Sequence, residues 1–123
     1  MNSNTYCIPV RIVRFVDERF PGWLQCEFRD ADGHSHILID KVPLFAEENL
    51  NESSEYPREG IVRCQILDRS RDNNGRELVR ITTDRPDIVE SNEGLSEFVV
   101  LADQIRPDPW PSSHGQLWDE QHS

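Results

Sequence analysis

Apolar side chains recur at every second position in several short runs of this chain, the period expected of strands with one buried face. In "WLQCEFR", residues 23–29, Leu24, Cys26 and Phe28 fall on one side. Trp23, Gln25, Glu27 and Arg29 fall on the other. "HSHILIDK", residues 34–41, also alternates and assigns Ile37 and Ile39 inward. "IVRCQILDR" at 61–69 points Val62, Cys64 and Ile66 inward, and "RELVRITT" at 76–83 does so with Val79 and Ile81. "IPVRIVRFV" at 8–16 is β-branched and aromatic enough for a first strand, with Pro9 marking an edge or entry point. "SEFVVLADQI" at 96–105 supplies the last.

Turn signals separate these runs. "FPG" at 20–22 and "SRDNNG" at 70–75 are turn-rich. Asp32-Gly33 suits the two φ > 0 positions of a type I′ hairpin turn. A two-residue loop there, or a four-residue loop over 30–33, opposes odd to even residues. Either groups Ile37 and Ile39 with Leu24, Cys26 and Phe28. Residues 42–57, "VPLFAEENLNESSEYP", predict a loop or one short helix around 44–50. The expectation is all-β: a small closed or partly open antiparallel β-barrel of about six strands with one or two short helical turns. Closure would remove the exposed sheet edges.

A chain of 123 residues has room for one domain. The barrel is expected over 1–106 and a flexible C-terminal tail over 107–123, where Trp110 and Trp118 stand among Pro, Ser and His. With 13 basic against 23 acidic residues the net charge is −10. That excludes nucleic acid as an expected partner, disfavours anionic membranes and favours a basic protein. No run approaches the roughly 20 apolar residues of a membrane span. The opening "MNSNTYCIPV" lacks the basic start and apolar run of a secretion signal. Cys7, Cys26 and Cys64 are odd in number and have no CxxC spacing, and Cys26 and Cys64 fall at core positions. A reduced, cytoplasmic protein is the expectation.

Charge is unevenly spread. Residues 47–59 carry five glutamates and one arginine, and residues 84–97 carry two aspartates, three glutamates and one arginine, so each segment is −4. Arg29, Arg63 and Arg80 fall on outward strand positions. Acidic connections on a rigid barrel are where binding is expected.

"DADGHSHILID", residues 30–40, holds His34 and His36 beside several carboxylates. Alternate strand residues share a face, so both imidazoles could meet one ion, with Glu27 across the hairpin as a third ligand. The simpler account is two exposed histidines on a hairpin. No Gly-x-Ser-x-Gly elbow, cysteine–histidine motif or glycine-rich phosphate loop is present. Enzyme activity is therefore less expected than binding, and no catalytic residue or cofactor is assigned.

Aromatic residues near charge are more informative. Trp23 falls on the polar side of its strand, and Phe45 and Tyr56 flank the acidic segment. The expected contact set is Trp23, Phe45, Glu47, Glu48, Glu52, Glu55, Tyr56, Asp87, Glu90 and Glu93. The competing account has Trp23 and Phe45 closing the barrel.

The arrangement "PGW…DADG…KVPLF…YP…G" over 21–60, with "SEFVVLADQI" near the end, resembles a family of small bacterial β-barrel proteins. That resemblance implies a fold and no functional residue. In acidity and size the chain is similar to immunity proteins, which offer a toxin a negative surface, and its hairpin order resembles the small barrels of translation factors. The expected function is a non-catalytic acidic protein-binding module, an immunity-like inhibitor of a basic partner being one version. The alternatives are a metal-binding protein or metalloenzyme centred on His34 and His36, and small-molecule binding in the barrel mouth.

Overall fold

The computed structural model describes residues 5–110. Seven strands occur in chain order: β1 (Thr5–Asp17), β2 (Trp23–Arg29), β3 (Ser35–Lys41), β4 (Arg58–Arg71), β5 (Glu77–Thr82), β6 (Glu97–Leu101) and the short β7 (Arg106–Pro107). Single 3-10 turns cover Val42–Leu44 and Ala102–Gln104. All strand pairings are antiparallel, in the order β3-β2-β1-β4-β5-β6, with β7 against β1. The sheet curls into a half-barrel, the partly open form of the expected architecture.

β1 makes the curl possible. Its first half pairs with β4, from Thr5↔Gln65 to Ile12↔Arg58, and its second half pairs with β2, from Arg11↔Glu27 to Asp17↔Trp23. Two register shifts, at Ile12/Arg14 and Phe15/Asp17, increase its local twist and bend. Pro9 fits mid-strand because it lies opposite Ile61, whose N–H turns away from β1 to the Phe45 carbonyl at 3.0 Å. That makes the pair a non-hydrogen-bonded one, so no ladder bond to β4 is lost at the imide. Gly60 lets this loop approach: a Cβ there would sit 2.6 Å from Ile12 Cδ1 and 2.9 Å from the Phe45 carbonyl oxygen.

The β2–β3 hairpin departs from the expected register. Trp23 pairs with Lys41, Cys26 with Leu38 and Phe28 with His36, so even opposes even. Asp30 N–H donates to the His34 carbonyl (2.9 Å), Gly33 N–H donates to the Asp30 carbonyl (2.9 Å), and Gly33 has φ +85°. This is a three-residue loop with a left-handed glycine, not the two-residue turn. A change of one residue exchanges the faces of β3. Leu38 is buried beside Cys26 while Ile39 is 42% exposed, so the inward assignment of Ile37 and Ile39 is corrected.

The core lines the inside of the curl, with Ile8, Ile12, Leu24, Leu38, Val79 and Ile81 among its fully buried members. Burying each such side chain contributes about 1.5–3 kcal/mol. Connections complete it: Val42, Phe45 and Leu50 come from 42–57, and Val89 from 84–96. The expected helix around 44–50 is instead the earlier, shorter turn Val42–Leu44, where Pro43 occupies the first turn. The final strand is also shorter than its sequence run. Gln104 Oε1 accepts the Leu101 N–H (2.8 Å), ending β6, and Gln104 Nε2 donates to the Arg29 carbonyl (3.0 Å). Ala31 N–H donates to the Val99 carbonyl (2.8 Å) and Asn92 N–H to that of Ile37 (2.8 Å), drawing the sheet's two edges together.

Residues 107–110, expected in the tail, pack against the sheet: Tyr6 pairs with Pro107 and Trp110 is buried. Trp118, His114 and His122 lie outside the described residues. Among the described residues no helix is long and apolar enough to cross a membrane.

Candidate functional site

His34 and His36 both approach Asp30 Oδ2, at 3.9 and 2.8 Å, but they differ in burial. His34 lies in the hairpin loop with its side chain 78% exposed, and His36 lies on β3 with its side chain 11% exposed. Both meet Asp30. Its Oδ1 accepts the N–H groups of Asp32 (2.9 Å) and His34 (3.0 Å), and its Oδ2 lies 2.8 Å from His36 Nε2. His36 packs against the rings of Phe28 and Phe98, which also touch each other, and its Nδ1 is buried with no hydrogen-bond partner among the described residues. Glu27 opposes Ile37 and so is not across from His36. Among the described residues, no group of three or more His, Cys, Asp or Glu is arranged to hold a metal ion. Asp30 is a turn anchor. Burial alone would raise its carboxyl, but the bonds from His36 and from the two backbone N–H groups outweigh that and hold it below its ordinary value.

Segment 42–57 divides its residues by role. Phe45, Ala46 and Leu50 are buried, so Phe45 is core and no surface contact, as the competing account has it. Tyr56 is half-buried and donates its hydroxyl to the Asn51 carbonyl (2.7 Å), bracing the loop. Glu47, Glu48, Glu52 and Glu55 all stand exposed. Of these, Glu48 meets Arg58 at 3.3 Å. The loop is anchored by its apolar side and displays carboxylates on the other.

Segment 84–96 is built the same way. The buried Thr83 donates its hydroxyl to the Val89 carbonyl (2.6 Å), Val89 N–H donates to the Thr83 carbonyl (2.9 Å), and Ser91 Oγ accepts the N–H of Leu95 (3.1 Å). Glu90 and Glu93 are exposed. Ile88 holds φ at 54°, a region β-branched residues rarely enter, and its side chain points to solvent. Asp87 is not displayed. Both of its oxygens accept from Arg63, at 3.0 and 3.1 Å.

Arg63 was expected on an outward face, and its side chain is only 12% exposed. Besides Asp87 it donates Nη1 to Asp108 (3.2 Å) and to the Trp110 carbonyl (2.8 Å), and its guanidinium lies 5.9 Å from the Trp110 ring centroid. One cation thus fastens the acidic 84–96 loop and the 108–110 segment to β4. Sequence periodicity finds the outward position but not these partners. Arg80 does face outward, bridging Asp68 and Glu97 across neighbouring strands.

Trp23 is half-buried, with Lys41 Nζ 5.0 Å from its ring centroid. Among the described residues the most exposed aromatic is Phe20, in the 20–22 turn, at 96%. The usable signal was an aromatic within "ERFPG" that belongs to no alternating run.

A cleft of about 790 Å³ lies beside β1, the 30–34 turn and the start of β4. Its apolar wall includes Val10, Phe28, Pro57 and Leu101, and Arg11, Arg29 and Arg58 reach it. Arg11 is paired with Glu27 at 2.9 Å. All three cysteines are buried free thiols. Burial pushes Cys7 up to about 11 and Cys64 up to about 12, and raises Cys26 further, so none is poised as a nucleophile. Comparison of the chain with protein-family models, with curated proteins and with solved structures gives no match.

Proposed function

We propose that this chain is a non-catalytic protein-binding module that meets a basic partner through its acidic connections, an immunity-like inhibitor being one version of that role. The observation that carries the reading is the construction of segment 42–57: Phe45, Ala46 and Leu50 fasten it to the core while Glu47, Glu48, Glu52 and Glu55 face solvent. Glu90 and Glu93 stand exposed on a second connection tied down through Thr83 and Ser91. Carboxylates on fixed loops steer an oppositely charged partner by long-range attraction, and little loop entropy is lost on docking.

The test is affinity purification from cells that naturally express the chain. A basic protein should be retained at about 0.1 M salt and released near 1 M, where the screening length falls to about 3 Å. No partner, or one whose binding ignores salt, defeats the reading.

The second reading, small-molecule binding, has the cleft of about 790 Å³ in its favour. A thermal-shift screen against small carboxylates and aromatic compounds tests it, with Arg29→Ala as the control for specific binding.

A further inference from the structure

We propose that Phe20 is the anchor of the complex: it inserts into an apolar pocket on a positively charged protein surface, and Glu18 and Glu52 pair with cations around that pocket. The inference rests on the acidic-binding reading above and names the residue that would hold such a complex together.

Folding leaves Phe20 96% exposed, forgoing the apolar burial that every other phenylalanine of the chain has at least in part. The exposure does not come from a loose turn. Asp17 accepts from Arg19 three times, at its backbone N–H (2.9 Å), Nε (3.0 Å) and Nη2 (2.7 Å). Gly22 N–H donates to the Arg19 carbonyl (2.6 Å), and Val42 N–H donates to the Gly22 carbonyl (2.9 Å). Gly22 holds φ +93°, and a Cβ there would lie 3.0 Å from the Phe15 ring and 3.2 Å from Val42 Cγ2, so the turn is packed as well as bonded. A side chain presented on so fixed a turn loses little freedom on binding.

The surroundings specify the partner's charge. Beside Phe20 lies a cleft of about 430 Å³ whose walls include Phe15, Pro21, Leu50, Glu18 and Glu52. Among the described residues neither Glu18 nor Glu52 has an ion-pair partner, while the adjacent Arg19 is matched by Asp17. An aromatic projection with an unmatched negative rim complements a cationic protein surface. A second copy of this chain would bring like-charged rims together, and an anionic membrane would be repelled by them.

The experiment uses the full chain with Phe20 replaced by the photoreactive p-benzoylphenylalanine, and a control with Asn73, on the exposed β4–β5 turn, replaced in the same way. Irradiation in the native host should give an adduct at position 20 and none with the same protein at position 73. The adduct, identified by mass spectrometry, should be a protein of basic isoelectric point. The purified partner should bind Phe20→Ala about 30-fold more weakly, the level of an interface hot spot. Phe20→Ala itself should melt with the wild type. An adduct with the chain's own second copy, with lipid or with an acidic protein overturns the proposal, as does no adduct. If Phe20→Ala binds normally but Glu47→Gln/Glu48→Gln/Glu55→Gln loses its salt dependence, the anchor fails while the acidic reading stands. A tight partner whose binding ignores salt defeats both.

Discussion

Replacing Arg63 by methionine keeps most of the apolar stem and removes the charge that ties three segments together. The side chain is 12% exposed, and the Asp108 carboxylate it meets is 4% exposed, so the variant leaves that carboxylate without its cation and largely shielded from water. Breaking a buried pair from one side costs about 3–5 kcal/mol. The bonds to Asp87 and to the Trp110 carbonyl come from the same guanidinium and are coupled to that loss, so they are not added to it as independent contributions. Against a total of about 5–15 kcal/mol for a domain, this is a large share. At roughly 4 °C per kcal/mol it lowers the melting temperature by at least about 12 °C. Urea unfolding followed by far-ultraviolet circular dichroism measures it. The decisive control is Arg63→Met with Asp108→Asn. Oδ1 of residue 108 keeps the Trp110 N–H (2.8 Å), and the amide carries no charge. The double variant should regain about 2 kcal/mol over the single. A single-variant loss under about 1 kcal/mol, or a double variant no better than the single, refutes the claim that one cation clamps β4, the 84–96 loop and the 108–110 segment.

Three further outcomes follow from the geometry. Leu38→Ala should cost about 2–5 kcal/mol and Ile39→Ala under about 1 kcal/mol, because only Leu38 faces the core; the reverse order would restore the rejected register. Asp30 is held below its ordinary value near 3.8, so the stability it confers is present above that value and is lost as pH falls through the lower folded value. Asp30→Asn should flatten that acid limb of the stability curve, and an unchanged limb would refute the role given to Asp30. A disulfide exchange reagent at pH 8 should find no fast thiol in the native chain and three in denaturant, since burial holds Cys7 at about 11 and Cys64 at about 12. A rapid native reaction would place a thiol in solvent.

Strands were legible in the sequence wherever alternation was strict. Leu24, Cys26 and Phe28 on β2, Val62 and Cys64 on β4, and Val79 and Ile81 on β5 all lie inward as their period requires. That legibility is physical: a pleated strand offers two faces, and only one can leave water. The alternation of β3 does not decide its facing, because "HILI" is apolar on both faces and its orientation depends on the loop before it. Asp32-Gly33 suits both a two-residue and a three-residue loop, and the choice goes with contacts from afar, including Ala31 N–H on the Val99 carbonyl.

For the candidate surface, sequence alone determined which connections are acidic, since charge is a property of composition. Which carboxylates remain available was decided by the tertiary structure. Asp87 is taken by Arg63, 24 positions away, and the same arginine holds Asp108, 45 positions away; no local period encodes pairings at that range. The aromatics divide for the same reason. Phe45 follows a turn that folds back over Gly60 and is buried, whereas Phe20 sits on a turn where none of the described residues covers it. A residue's hydrophobicity is set by its side chain, but its exposure is set by what the rest of the chain brings against it.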